Sequence, residues 1–170
     1  MASEMFISDH VLLNIGFAAA RARLGNLAGG GLLLGASEHA YAETITGLAG
    51  ATGSVPTAPQ LAGVCPGDLT DTPHTAQLPV HWEVTTRDGA LFPALDADLT
   101  LTPAGDQTTI FALTGVFRPP PGLANTGLDQ EIVSWFATAA VRVFLVRLAA
   151  ALVHPSGAAS EKPAWRRWSA

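Results

Sequence analysis

LDQEIVSWFATAAVRVFLVRLAAALV, residues 128 to 153, is one long apolar segment of helical character that follows a block of strand-like segments. Its polar residues Glu131, Ser134, Thr138 and Arg142 recur at spacings of three and four, so they form one narrow wet stripe. Ile132, Phe136, Ala139, Val143 and Val146 share an apolar side, with Trp135 at its edge. Most of the circumference therefore calls for protein around it, and the segment reads as a helix wrapped by a sheet. A membrane span is the competing reading, but Arg142 and Arg147 both lie inside it, each costing about 2.5 to 3.5 kcal/mol near a bilayer centre. No stable membrane insertion is expected.

The segments just upstream supply the sheet. Thr75 to Thr86 alternates, with Val80, Trp82 and Val84 on one side and His81, Glu83 and Thr85 on the other, and Arg87-Asp88-Gly89 makes a turn. Leu95 to Thr102 alternates throughout, Pro103 to Asp106 turns again, and Thr108 to Phe117 is the next strand. Short connections between three consecutive strands predict an antiparallel meander. RPPPG, residues 118 to 122, then acts as a stiff corner into the helix, because its prolines remove ladder donors.

Nearer the N-terminus, Met5 to Ile15 reads as a first strand and Phe17 to Leu27 as a helix stopped by Gly29 to Gly31. Leu32 to Leu34 suits a buried strand start or a connector, and the stretch from Ser37 a second helix or a strand pair. Residues 50 to 60 read as a loop, and Leu61 to Cys65 as a short strand ended by Pro66 and Gly67. Residues 1 to 154 are thus one domain, and 155 to 170 a flexible tail.

Composition narrows the classes of partner. The chain has 170 residues, 48% hydrophobic and 14% charged, enough for a sizeable core. The tail holds Lys162, Arg166 and Arg167 against Glu161, which leaves the body 6 basic against 13 acidic residues. An acidic body argues against nucleic acid, whose phosphates need a basic face. The single Cys65 excludes an intramolecular disulfide and suits a reducing compartment, and MASEMFISDH lacks the basic flank of a secretory signal, so a cytoplasmic location is expected.

The order strand, helix, variable segment, antiparallel meander and long C-terminal helix resembles the START-like (SRPBCC, Bet v 1-like) superfamily over roughly residues 5 to 154. LPVHWEVTTRDGALFPALDADLTLTPAGDQTTIFALTGVFRPPPG, with the helix after it, is similar to a group of actinobacterial-type SRPBCC proteins without an assigned function. The resemblance implies an α+β helix-grip fold, in which a curved antiparallel sheet closes on the last helix around an apolar cavity. It implies no particular reaction.

The expected function is non-catalytic binding of an apolar small molecule, lipid or polyketide-like, in that cavity. Trp82, Val84, Leu95, Leu99, Phe111, Leu113, Phe117, Trp135, Phe136, Ala139 and Val143 are the side chains expected on the inner face. The same residues also describe a dry core. An enzyme of the cyclase or aromatase kind would need an acid and a base inside, for which His81, Glu83 and Arg147 are the candidates. A third class is a ligand-free interaction module meeting a basic partner.

Other candidates have plainer readings. Asp96 and Asp98 share a strand face, as a cation site or an acid-base pair would require, but the clean alternation makes them a solvated face. His81 and Glu83 read as an exposed cross-strand pair, and His81 becomes a general base only if the sheet is inverted there. Arg142 continues the wet stripe, and Arg147 reaches solvent near the helix end. His10, His39, His74 and His154 show no ligand spacing, GGGLLLG follows a helix instead of a strand, and no metal or cofactor is expected. Trp165-Arg166-Arg167-Trp168 supplies little apolar area for a membrane surface or a partner. Sequence leaves the oligomeric state open.

Overall fold

The computed structural model describes residues 4–29, 31–52, 60–85, 89, 91–118 and 130–154. Strand β1 (Met5–Leu13) leads into helices α1 (Phe17–Ala28) and α2 (Leu32–Thr52). Strands β2 (Gln60–Pro66), β3 (Thr70–Thr72), β4 (Thr75–Thr85), β5 (Leu91–Gly105) and β6 (Thr108–Phe117) follow, and α3 (Gln130–Val153) closes the fold. The six strands form one sheet in the order β1-β6-β5-β4-β2, with β3 also on β4, and every pairing is antiparallel. A sheet of this order with its C-terminal helix laid on one face is an α+β helix-grip fold.

Alternation sorts the sheet as the pattern of β4 predicts. Ala76, Leu78, Val80, Trp82 and Val84 are buried on the helix side, while Thr75, Gln77, Pro79, His81, Glu83 and Thr85 are half-buried on the other. β5 is longer than the alternation from Leu95 to Thr102 suggests: it runs through Pro93 and Pro103. Both prolines lie beside register shifts, opposite Trp82/Glu83 and at Pro103/Gly105, the kind of irregularity at which a sheet tolerates proline. Gly115 permits a close approach in mid-sheet, since a Cβ there would lie 2.3 Å from the Asp96 carbonyl oxygen and 2.5 Å from Ala97 Cα and Cβ. Side chains opposite each other normally stand about 4.5–5.5 Å apart, so β5 and β6 leave no room for a side chain at this point.

Leu32 to Leu34 begins α2 and is neither a strand start nor a connector. Leu33, Ala36, Ser37, Ala40 and Tyr41 are buried at helical spacing, so the apolar triplet is the first turn of an amphipathic pattern. The helix extends to Thr52, into the predicted loop. Glu131, Ser134, Thr138 and Arg142 form the exposed stripe of α3 as expected, but Val146 continues that stripe and is 46% exposed. The buried face is Phe136, Ala137, Ala140, Val141, Phe144, Leu145, Leu148 and Leu152. The window Ser134–Val153 is long and apolar enough to cross a membrane, yet half of it is buried against the fold.

Two arginines fix α3 at its flanks. Arg142 donates to Asp9 Oδ1 at 3.0 Å and to the His10 carbonyl at 3.1 Å, tying the helix to the free edge of β1. Arg23 of α1 donates to the carbonyls of Leu152 at 2.7 Å and Val153 at 3.3 Å. These are orphan carbonyls of the helix C-terminus, where a cation also meets the negative end of the helix dipole. The turn at 87 and 88, the proline corner after Arg118 and the tail from 155 lie outside the described residues.

Candidate functional site

The interior between sheet and α3 is built from rows of register partners. Trp82, Leu95 and Phe117 are consecutive partners across β4, β5 and β6; Val80, Ala97 and Gly115 form the next row on this face, and Leu78, Leu99 and Leu113 the one after. Phe144 meets Trp82 edge to face at 5.1 Å between ring centroids, and Phe136 meets Phe117 at 6.1 Å. The two phenylalanines are two helical turns apart, about 12 Å. Trp82 and Phe117 are two strand spacings apart, about 10 Å. The helix therefore crosses the strands from β6 to β4. Tyr41 of α2 completes this aromatic chain, edge to face with Phe136 at 6.0 Å.

Of the residues expected on the inner face, Trp82, Val84, Leu95, Leu99, Phe111, Leu113, Phe117 and Phe136 are all buried there. Ala139 and Val143 are half-buried on the helix flank. Trp135 is a correction: at 52% exposed it stands beside Ser134 and Thr138 on the solvent side. The helical turn puts Phe136 and Ala137 inward, which carries Trp135 out. Tyr41 of α2 is an inner residue outside that set, in a stretch that suits a helix or a strand pair by its sequence; its four-residue spacing from Ser37 and eight-residue spacing from Leu33 carry the helical signal.

Polar groups in this interior are few. Ser37 donates to the Leu33 carbonyl at 2.8 Å, and Thr109 to the Ile15 carbonyl at 2.8 Å, so both buried hydroxyls are satisfied. The Tyr41 hydroxyl and Trp82 Nε1 are buried with no hydrogen-bond partner among the described residues. Burial pushes the Tyr41 phenol far above its ordinary range, so it stays a neutral donor. Buried donors without acceptors are rare, and each costs about 1–3 kcal/mol.

The opposite face of the sheet is ionic. His81 Nδ1 bonds Asp96 Oδ1, Arg118 bonds Asp96 Oδ2, and Arg118 Nε reaches Glu4 at 2.9 Å. Glu83 lies 3.6 Å from His81 Nε2. Partial burial pushes the Asp96 carboxyl up, but hydrogen bonds from Arg118 and His81, with the charges of both, outweigh it and hold the group below the usual carboxylate range. Asp96 accordingly belongs to an ion network, where alternation alone suggested a solvated residue. A groove of about 420 Å³ lies on this face, lined among others by Cys65, Pro79, His81, Asp96, Asp98 and Thr114. Thus His81 and Glu83 face away from the interior, and Arg147 is exposed, 2.5 Å from His39 Nε2. None of the three residues that internal acid-base chemistry would need is inside.

No protein-family model and no curated protein matches the chain. Solved structures similar to it include Zhui aromatase/cyclase from Streptomyces sp. R1128, at 10% identity and a TM-score of 0.42, covering 89% of this chain and 95% of that one. A conserved protein from Geobacillus kaustophilus is similar at 13% identity and a TM-score of 0.45, over 87% and 95% of the two chains. A START superfamily protein from Mycobacterium smegmatis is similar at 10% identity and a TM-score of 0.38, over 89% and 99%. Likenesses this distant carry no argument about ligand or reaction, and the fold rests on the sheet order and the gripped helix.

Proposed function

We propose that this protein binds an apolar small molecule, lipid or polyketide-like, between the sheet and α3. The Tyr41 hydroxyl and Trp82 Nε1–H would donate to acceptor oxygens of that molecule. The supporting observation is the pair of unpartnered donors set in an otherwise apolar, aromatic-lined interior. Apolar walls with a few placed polar groups are the usual make-up of a small-molecule site, in which area gives affinity and the polar groups give orientation. A phenol and an indole are both suited to a carbonyl or carboxyl oxygen, and indole N–H can only donate.

Mass spectrometry of an organic extract of the purified full-length protein, beside an unrelated domain prepared in parallel, tests this reading. A stoichiometric, specific, oxygen-bearing apolar compound supports it. An empty extract from cooperatively folded protein that also takes up no added fatty acid or aromatic polyketide would assign the same side chains to a closed core.

A further inference from the structure

The free edge of β1 gathers most of the exposed apolar surface. Six large apolar side chains stand exposed among the described residues, and five of them border this edge. Phe6, at 73%, and Leu12, at 59%, lie on β1 itself, and Ile110 of β6 is the register partner of Leu12. Trp135 and Val146 lie on α3, seven residues before Arg142 and four after it, hence on the same side of the helix. Arg142 is the residue that reaches the β1 edge, at Asp9 and His10. The sixth, Leu34, stands apart on α2.

Backbone groups define what the edge can take. His10 donates its N–H to Asp9 Oδ1 at 2.8 Å and accepts from Arg142 at 3.1 Å, so its backbone faces away from β6. An antiparallel ladder repeats every second residue, and the β1–β6 register runs without a shift. The N–H and C=O of Phe6, Ser8 and Leu12 therefore face the same way as those of His10. Among the described residues β1 pairs with β6 alone. A row of open N–H and C=O groups is a template for another strand, and the cap on His10 leaves Phe6 and Ser8 as the open run on one side of it.

Charge and area select a second copy of the chain as the occupant. β1 and α3 together hold Arg142 and Arg147 against Asp9 and Glu131, no net charge, whereas the whole chain carries −5. Two copies thus meet here without the repulsion of their acidic surfaces, and a strongly charged partner finds no field to match. The five side chains expose on the order of 500 Å² of apolar surface. A standard interface of about 800 Å² per partner is a little over half non-polar, which calls for a similar amount. We propose that the protein forms a two-fold dimer in which the β1 strands of two copies pair antiparallel through Phe6 and Ser8, with the side of α3 that carries Trp135, Arg142 and Val146 packed beside them. Strand pairing satisfies the open amides, and Phe6 and Trp135 supply aromatic anchors.

Sedimentation equilibrium of the full chain between about 1 and 100 µM tests this, with residue-resolved hydrogen exchange at both ends of the range. Wild type is expected to be dimeric at the high end and to dissociate on dilution, with the Phe6 and Ser8 amides protected only in the dimer. Ser8→Pro removes an N–H that faces out of the ladder, and Phe6→Lys changes a side chain outside the core, so both should fold and shift dissociation at least about tenfold towards monomer. Leu34→Lys, an exposed apolar site away from the edge, should dimerise like wild type. Wild type monomeric throughout, a folded Phe6→Lys that dimerises unchanged, loss of the dimer in Leu34→Lys, or a dimer with exchanging Phe6 and Ser8 amides overturns the proposal. So does a monomer that co-sediments with phosphatidylcholine vesicles, which would assign the strip to a lipid surface. If Ser8→Pro loses its cooperative melt, Phe6→Lys and the exchange pattern decide. Interior ligand content does not enter the outcome.

Discussion

Tyr41→Phe is the sharpest test of the interior site, because stability and function should move in opposite directions. The substitution removes one oxygen and keeps the ring, so the edge-to-face contact with Phe136 at 6.0 Å survives. Tyr41 is 5% exposed and its hydroxyl has no partner among the described residues, and since burial raises its pKa the group is neutral throughout the working range. The penalty removed is therefore that of an uncharged buried hydroxyl, about 1–3 kcal/mol, offset by little lost packing. A gain of about 1 kcal/mol is expected in ligand-free protein, or about 2–4 °C in Tm for a chain of this size. Calorimetry and urea unfolding with an unchanged m-value would read it. Affinity for the extracted compound should fall roughly fivefold to tenfold, about 1–1.4 kcal/mol, through the lost donor. A destabilisation beyond about 0.5 kcal/mol would show that the hydroxyl is already satisfied in the folded chain and would remove the reason for placing a ligand there.

Other substitutions probe the frame and the outer face. Arg23→Ala strips the cation from the C-terminal carbonyls of α3 and should cost about 1–2 kcal/mol in urea unfolding, whereas a change below about 0.3 kcal/mol would deny the cap. Gly115→Ala drives a methyl into the Asp96 carbonyl and Ala97, so a loss near 3 kcal/mol, or no soluble protein, is expected; a neutral effect would refute the close approach. Asp96→Asn should cost under about 1 kcal/mol at pH 7, since Asp96 is 47% exposed and solvent screens the network. Its folded pKa is depressed, so this contribution is present above the unfolded value of about 3.9 and is lost as pH falls through the folded value. Melts of wild type and variant should converge below about pH 3, and a gap that stays constant with pH would refute the linkage.

The elements of this fold were legible wherever one periodicity dominated. β4 and β6 alternate cleanly and α3 is long and periodic, so their existence and the sides they bury follow from side-chain spacing alone. Boundaries failed where a local signal was overridden. Pro103 to Asp106 reads as a turn, yet β5 passes through Pro93 and Pro103, where its pairings shift register. The strand residues expected on the inner face are buried, whereas Trp135 on the helix is exposed, since a helical face tolerates ambiguity of one residue where a strand face does not.

Sequence by itself determined the class of fold and the buried faces of β4 and β5, because alternation and apolar periodicity are local properties of the chain. Only the tertiary structure decided which distant residues meet. It left Tyr41 and Trp82 as donors without a partner among the described residues on the interior's aromatic chain, and it brought His81, Asp96 and Arg118 together on the far face. Register across strands sets such meetings, and register depends on loops and bulges whose geometry no spacing in the chain records.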